Sequence, residues 1–268
     1  MITRRPLLAA ALLAAPSIAR AQGEWPARPV RVIVPWPPGG STDVLVRIYC
    51  ELMQPILGQN FIIENRPGAG GNIGIDATAK AAPDGYTMGI ASVGHLVINN
   101  FLYARLPYDP ARDLVPVSIA VDLFNILTVP ADRPWRTAAD IIAAAKANPG
   151  KLNYGSGGAG TTTHITSELL KTLSGTDIIH VPYKASAAAV TAQLQGQTDF
   201  QFSELSSTYQ HVKSGALRAL AVGSETRAPL LPDVPTLSET IPGFASTVWY
   251  GVVAPPKTPP AIVAKVSG

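Results

Sequence analysis

Residues 154–164 read YGSGGAGTTTH: glycines at 155, 157, 158 and 160, then three threonines and a histidine. Two chemistries use such a loop. Gly155-x-Gly157-x-x-Gly160 has the spacing of a dinucleotide-binding turn, where glycines let the backbone approach a pyrophosphate at a helix N-terminus. The alternative is a turn that holds a smaller anion, because any helix start carries unpaired N–H groups and the positive end of the helix dipole. A second stretch of this kind, VPWPPGGSTD at 34–43, also runs through glycines into hydroxyl residues that open a helix.

The dinucleotide reading needs an acid about 20 positions on, at the end of the next strand, to hold the ribose. That strand ends IIHVPY, and Asp177 stands at its beginning. PPGGSTD lacks the lysine of a phosphate loop, and Asp43 in the first helical turn would repel a highly charged phosphate. A mono- or dicarboxylate suits both loops better, with Asp43 accepting from a ligand hydroxyl, amine or bridging water. No cofactor is expected. His95, His164, His180 and His211 show no metal-ligand spacing, and one cysteine cannot build a thiolate site. The G-x-S-x-G elbow of a serine hydrolase is missing; IASVG comes nearest. His164, in the first turn after the second loop, reads either as a donor to a carboxylate or as a local hydrogen bond. His95 follows a strand on the edge where ligands gather in such sheets. Trp36 reads as ligand stacking or as packing, and Cys50, Trp249 and Tyr250 as packing.

Alternating strands and helices must position these loops. Residues 29–35 (PVRVIVP), 61–64 (FIIE) and 86–91 (YTMGIA) are strand candidates. Between the first two, Leu45, Ile48, Tyr49, Leu52 and Ile56 repeat at helical spacing. A second unit begins near Asp122, with an apolar run at 126–129 and a capping-box pattern at Thr137-x-x-Asp140. Its further strands are expected at 152–154, 178–181 and 199–202, with helices through Ile165, Leu169 and Leu173 and over 185–194. LRALAV at 217–222 is expected to carry the chain back. This rhythm predicts an α/β protein of two lobes, each a mostly parallel sheet flanked by helices. Lobe 1 is expected over 22–121 and 225–268, and lobe 2 over 122–224.

The first 21 residues have two arginines, an apolar run too short to span a bilayer, and Ala19-Arg20-Ala21 as a cleavage site. They read as a signal for export, through the general route or through the twin-arginine route. Arg4, Arg5 and Arg20 leave with it, so the 21 basic residues fall to 18, matching the 18 acids. A formally neutral mature chain gives no support for nucleic-acid binding. A soluble monomer in the periplasm is expected.

PVRVIVPWPPGGSTDVLVR, IIENRPGAGGNIG, AAPDGYT, PYDPARDLVPVS, LNYGSGGAGTTTH and VPYKASAAAVTAQLQGQ occur in that order. Together they resemble the Bug family, the substrate-binding proteins of tripartite tricarboxylate transporters. The resemblance implies a periplasmic binding protein of type II-like, two-lobe form that closes on a small organic carboxylate and delivers it to membrane permease subunits or a sensor. It implies contacts from Gly39, Gly40, Ser41, Thr42 and Asp43 in the first lobe and Ser92 after its third strand. From the second lobe it implies Ser156, Gly157, Gly158, Gly160, Thr161, Thr162 and His164. The family often has an aspartate where this chain has Ser203 after DFQF, a departure that favours a plain or aromatic carboxylate. Trp36 replaces a phenylalanine or alanine at the cleft mouth. The family also continues past the equivalent of PPAIVAKVSG, which implies a first lobe short of its terminal helices. An exported enzyme using the same cleft, with a nucleotide cofactor, is the competing reading; the nucleophile or acid–base pair it requires does not assemble from these residues.

Overall fold

The structure is a computed structural model that describes residues 24–268; the expected export signal at 1–21 lies outside them. Nine strands and eight α-helices alternate along the described chain. The first half holds β1 (Val30–Val34), α1 (Ser41–Leu57), β2 (Phe61–Asn65), α2 (Asn72–Ala79), β3 (Thr87–Ser92) and the one-turn α3 (Asn99–Leu102). β4 (Val115–Pro130) leads into α4 (Ala138–Ala147), β5 (Asn153–Ser156), α5 (Thr162–Ser174), β6 (Ile179–Pro182) and α6 (Ser186–Leu194). β7 (Phe200–Glu204), α7 (Leu205–Lys213), β8 (Leu217–Val222), β9 (Thr247–Ala254) and α8 (Pro260–Ser267) complete it.

The strands run in the order β2-β1-β3-β9-β4-β7-β5-β6, with β8 also on β4. β1 pairs in parallel with β2 and β3, and β5 in parallel with β6 and β7. β4 is the long member that joins the halves. Its residues from Val115 to Phe124 lie antiparallel to β9, and those from Asn125 onward lie against β7 and β8. Two main cores follow this division. One packs Val30, Val32, Met88, Ile90 and Val252 against Val46 and Cys50 of α1. The other packs Leu127, Tyr154, Phe200 and Phe202 against Ile141 of α4 and Leu170 of α5.

The local chemistry of the sequence sets several boundaries. Thr137 accepts from the Asp140 amide and Asp140 accepts from Thr137 N–H, the reciprocal capping box expected. Gly58 ends α1 in the left-handed region at φ 69°, with its N–H on the Gln54 carbonyl. The return to the first half comes later than the crossing expected at 217–222. β8 pairs antiparallel with β4, Leu237, Ile241 and Phe244 join the second core, and the chain returns in β9. Gly223 N–H donates to Asn125 O and Ser246 N–H to Gly223 O, so these segments lie side by side where the halves meet.

Candidate functional site

A small pocket lies where the N-termini of α1, α5 and α6 converge. Gly40, Ser41 and Thr42 reach it from α1, Thr161, Thr162 and Thr163 from α5, and Ala185, Ser186 and Ala187 from α6. Gly157, Trp36, Pro37, Glu204 and Tyr250 close the rest. None of the three helices has a side-chain cap hydrogen bond among the described residues. The first bonded amides are those of Val44, Ile165 and Ala189, accepted by Gly40, Thr161 and Ala185. The three N–H groups ahead of each therefore have no acceptor in their own helix. The hydroxyls of Ser41 and Ser186 are buried and unpartnered as well. Three positive helix ends and two free hydroxyls thus face one small space, the local chemistry of an anion site.

The loop ahead of α1 is built by its aspartate. Asp43 Oδ2 accepts from Gly39 N–H (2.9 Å) and Arg47 Nε (2.9 Å), and Oδ1 from Arg47 Nη2 (3.1 Å) and Asn65 Nδ2 (2.9 Å). Burial raises the Asp43 pKa, but these donors outweigh it and hold the carboxyl below its usual range. Gly39 supplies the positive φ, 77°, that the turn needs. Instead of facing the pocket, where a ligand-accepting role was expected for it, Asp43 ties the loop at Gly39 to Arg47 of α1 and Asn65 of β2.

The second loop is also tied internally. Gly157 N–H donates to Thr163 Oγ1 (2.9 Å), Gly158 N–H to Ser156 Oγ (3.1 Å) and Gly160 N–H to His164 Nδ1 (3.2 Å). His180 Nε2 meets Ser156 Oγ at 2.6 Å and stacks between His164 and Tyr154. Burial and the neighbouring His164 take the His180 pKa down to about 4. The amides of the glycine loop are thus engaged in shaping it, and the open donors are those of the helix starts.

Of the residues singled out from sequence, Gly40, Ser41, Thr42, Gly157, Thr161 and Thr162 line the pocket. Gly39, Asp43, Ser156, Gly160 and His164 lie behind it, and Gly158 borders the adjoining recess shared with residues 67–71 and Lys184. Ser92 is a prop: its N–H donates to His95 Nδ1 (3.1 Å), and His95 Nε2 donates to Gly70 O (3.0 Å). His95 is buried behind this bond, its pKa driven down to about 4 by burial, and does not reach the pocket. Ser203 is fully buried in β7 and does not line the pocket; its neighbour Glu204 does, because alternate side chains of a strand point to opposite faces.

Glu204, Tyr250 and Ser186 are the residues that sequence reading missed. Tyr250, read as packing, donates its hydroxyl to Glu204 Oε1 at 3.2 Å. Burial and the Glu204 carboxylate both push its pKa up. Tyr250 sits beside Trp36 with ring centroids 5.2 Å apart. The dipeptide AS at the end of VPYKAS was the available signal for Ser186: a pair of small residues opening a helix.

The halves touch across this site. Tyr103 OH donates to Ala159 O (2.9 Å), and glycines at 70, 94 and 160 allow backbone approaches that a Cβ would block.

The family described as "Tripartite tricarboxylate transporter family receptor" matches residues 45–268. A protein from the tcbD-tcbE intergenic region of a Pseudomonas species is 41% identical over 98% of this chain and 80% of its own length. Protein BugT of Bordetella pertussis is 39% identical over 89% of this chain and 74% of its own. Among solved structures, R. palustris Rpa4515 with adipate superposes with a TM-score of 0.87 at 36% identity, covering 91% of this chain and 82% of that one. MatC from Rhodopseudomonas palustris with bound malate gives 0.85 at 32% identity, covering 90% and 83%.

Proposed function

This chain belongs to the tripartite tricarboxylate transporter receptor family, and on that premise we propose that its pocket clasps one carboxylate of a small organic acid at three helix starts. The observation that carries the reading is the set of uncapped N-termini of α1, α5 and α6 around one pocket. A helix start left open costs about 1 kcal/mol relative to one with a good cap. Serines and threonines stand at all three starts, yet none caps, which leaves the donors to a ligand. Adipate and malate in two similar structures support a carboxylate as that ligand.

We place the lobe boundary at Phe124–Asn125 within β4 and again at Ser246–Thr247, where the pairing partners change. The ligand sits between the lobes, because α1 and Tyr250 come from one and α5, α6 and Glu204 from the other. Closing on it would bury the carboxylate and bring charge-assisted hydrogen bonds from both sides. We read residues 1–21 as the signal that exports the receptor to the periplasm and permease subunits as its downstream partner. The receptor binds and releases its ligand unchanged. Isothermal titration against a carboxylate panel that includes adipate and malate is expected to give saturable heat with at least one acid. No heat from any of them, in protein that melts cooperatively, overturns the proposal.

A further inference from the structure

We infer that Glu204 sets the ligand class, selecting carboxylates that also carry a hydrogen-bond donor, a hydroxyl or an ammonium, beside the carboxylate. The inference rests on the carboxylate reading of the pocket and adds to it a requirement that Glu204 alone imposes.

Glu204 is 5% exposed and lines the pocket. Its Oε1 accepts from Tyr250 OH, while Oε2 is buried with no partner among the described residues. A structural acceptor for one phenol needs no charge; glutamine would serve. A carboxylate placed here brings a negative charge and a second acceptor that the described residues leave unmatched. Burying such a group is unfavourable unless it is paired.

The pocket offers no lysine or arginine among its described lining residues. The positive helix ends around the pocket offset the charge of Glu204. A ligand carboxylate takes over those same helix ends, so a plain acid would set two negative charges side by side in a buried space, where Coulomb repulsion is poorly screened. A donor on the ligand reverses the sign. An ammonium would form an ion pair with Glu204, and a hydroxyl would give Oε2 a charge-assisted hydrogen bond. Selection by leaving a buried polar group unmatched with the wrong ligand is a strong form of discrimination.

The test is isothermal titration of the full chain with two matched trios: succinate, malate and aspartate, then adipate, 2-hydroxyadipate and 2-aminoadipate. In at least one trio a donor-bearing form is expected to bind at least tenfold tighter than its plain parent, about 1.4 kcal/mol. The ranking between hydroxy and amino forms tells which donor is taken. Glu204→Gln is expected to shrink that preference at least fivefold and to strengthen binding of the plain parent. Plain acids binding as tightly as their donor-bearing forms, or a preference unchanged in Glu204→Gln, overturns the inference while leaving the carboxylate reading intact. Silence from both trios and from a wider panel sinks the carboxylate reading and this inference together. If Glu204→Gln fails to melt cooperatively, the wild-type ranking decides alone.

Discussion

At the scale of single residues, the helix starts make a prediction in which stability and affinity move in opposite directions. Ala185 precedes α6 in extended geometry, φ −160° and ψ 159°, with no side chain to cap the first turn. Ala185→Asp supplies that cap and is expected to raise stability by about 1 kcal/mol. The same carboxylate engages the donors kept for the ligand and adds a negative charge, so affinity should fall at least tenfold. A thermal melt and a titration on one sample check both signs; a variant that binds as well as wild type sinks the open-donor reading. Asp43→Ala should act on stability instead. It leaves the Gly39 amide, Asn65 and Arg47 without their shared acceptor, and about 2–3 kcal/mol should be lost in urea unfolding. Six pocket residues were legible because each loop is a local run of glycine and hydroxyl residues. Glu204 and Tyr250 were not, because they reach the pocket from two different strands, 46 positions apart, and no local motif joins them.

At the scale of elements, strand positions were readable from β-branched runs, whereas helix faces were less so. The apolar repeat of α1 suggested burial of Ile48, Leu52 and Ile56, yet these are 50%, 65% and 71% exposed. The helix turns Thr42, Asp43, Val46 and Cys50 inward, because its first turn must meet the pocket and Asp43 must reach Asn65. α5 does likewise: it buries Thr162, Thr163, Thr166 and Ser167 along with Leu170, and leaves Leu173 45% exposed. In both helices the requirement to present the N-terminus overrides the apolar stripe, a conflict expected at functional sites. The segment after β3 tests how the halves meet. A Cβ on Gly94 would overlap the Gly160 carbonyl oxygen across the cleft. Gly94→Ala should therefore hold the second glycine loop away from the first half and cost at least tenfold in affinity. Its melting temperature should stay close to wild type, since the clash falls between the halves and neither core is touched. Wild-type affinity in this variant would falsify the close approach as a feature of the bound state.

At the scale of the whole molecule, the props behind the pocket share one chemistry, a neutral imidazole on each side of the cleft, fully buried at His95 and half-buried at His180. His95 holds Gly70 O in the first half, and His180 holds Ser156 in the second. Both have pKa values near 4, against an ordinary value of 6.5, because burial penalises the charged ring. The sign follows from linkage: the unfolded chain takes up these protons first, so stability is highest above pH 6.5 and falls as the pH drops toward 4. For buried His95 alone the loss across that window is of order 3 kcal/mol. Melting temperature is accordingly expected to decline steadily from pH 7 to pH 4.5. His95→Gln should lower it at pH 7 but flatten its slope, since the glutamine does not titrate. Because each imidazole braces a loop beside the pocket and stays neutral in the folded protein until the pH nears 4, both walls should loosen, and affinity for a carboxylate should fall, only as the pH approaches that value. Titration at pH 7, pH 5 and pH 4, corrected for the ligand's own protonation, reads that coupling: affinity should hold from pH 7 to pH 5 and drop at pH 4. A flat melting profile from pH 7 to pH 4.5 would show that these rings take up protons as readily in the folded protein as in the unfolded chain, and the bracing role assigned to them would have to be abandoned.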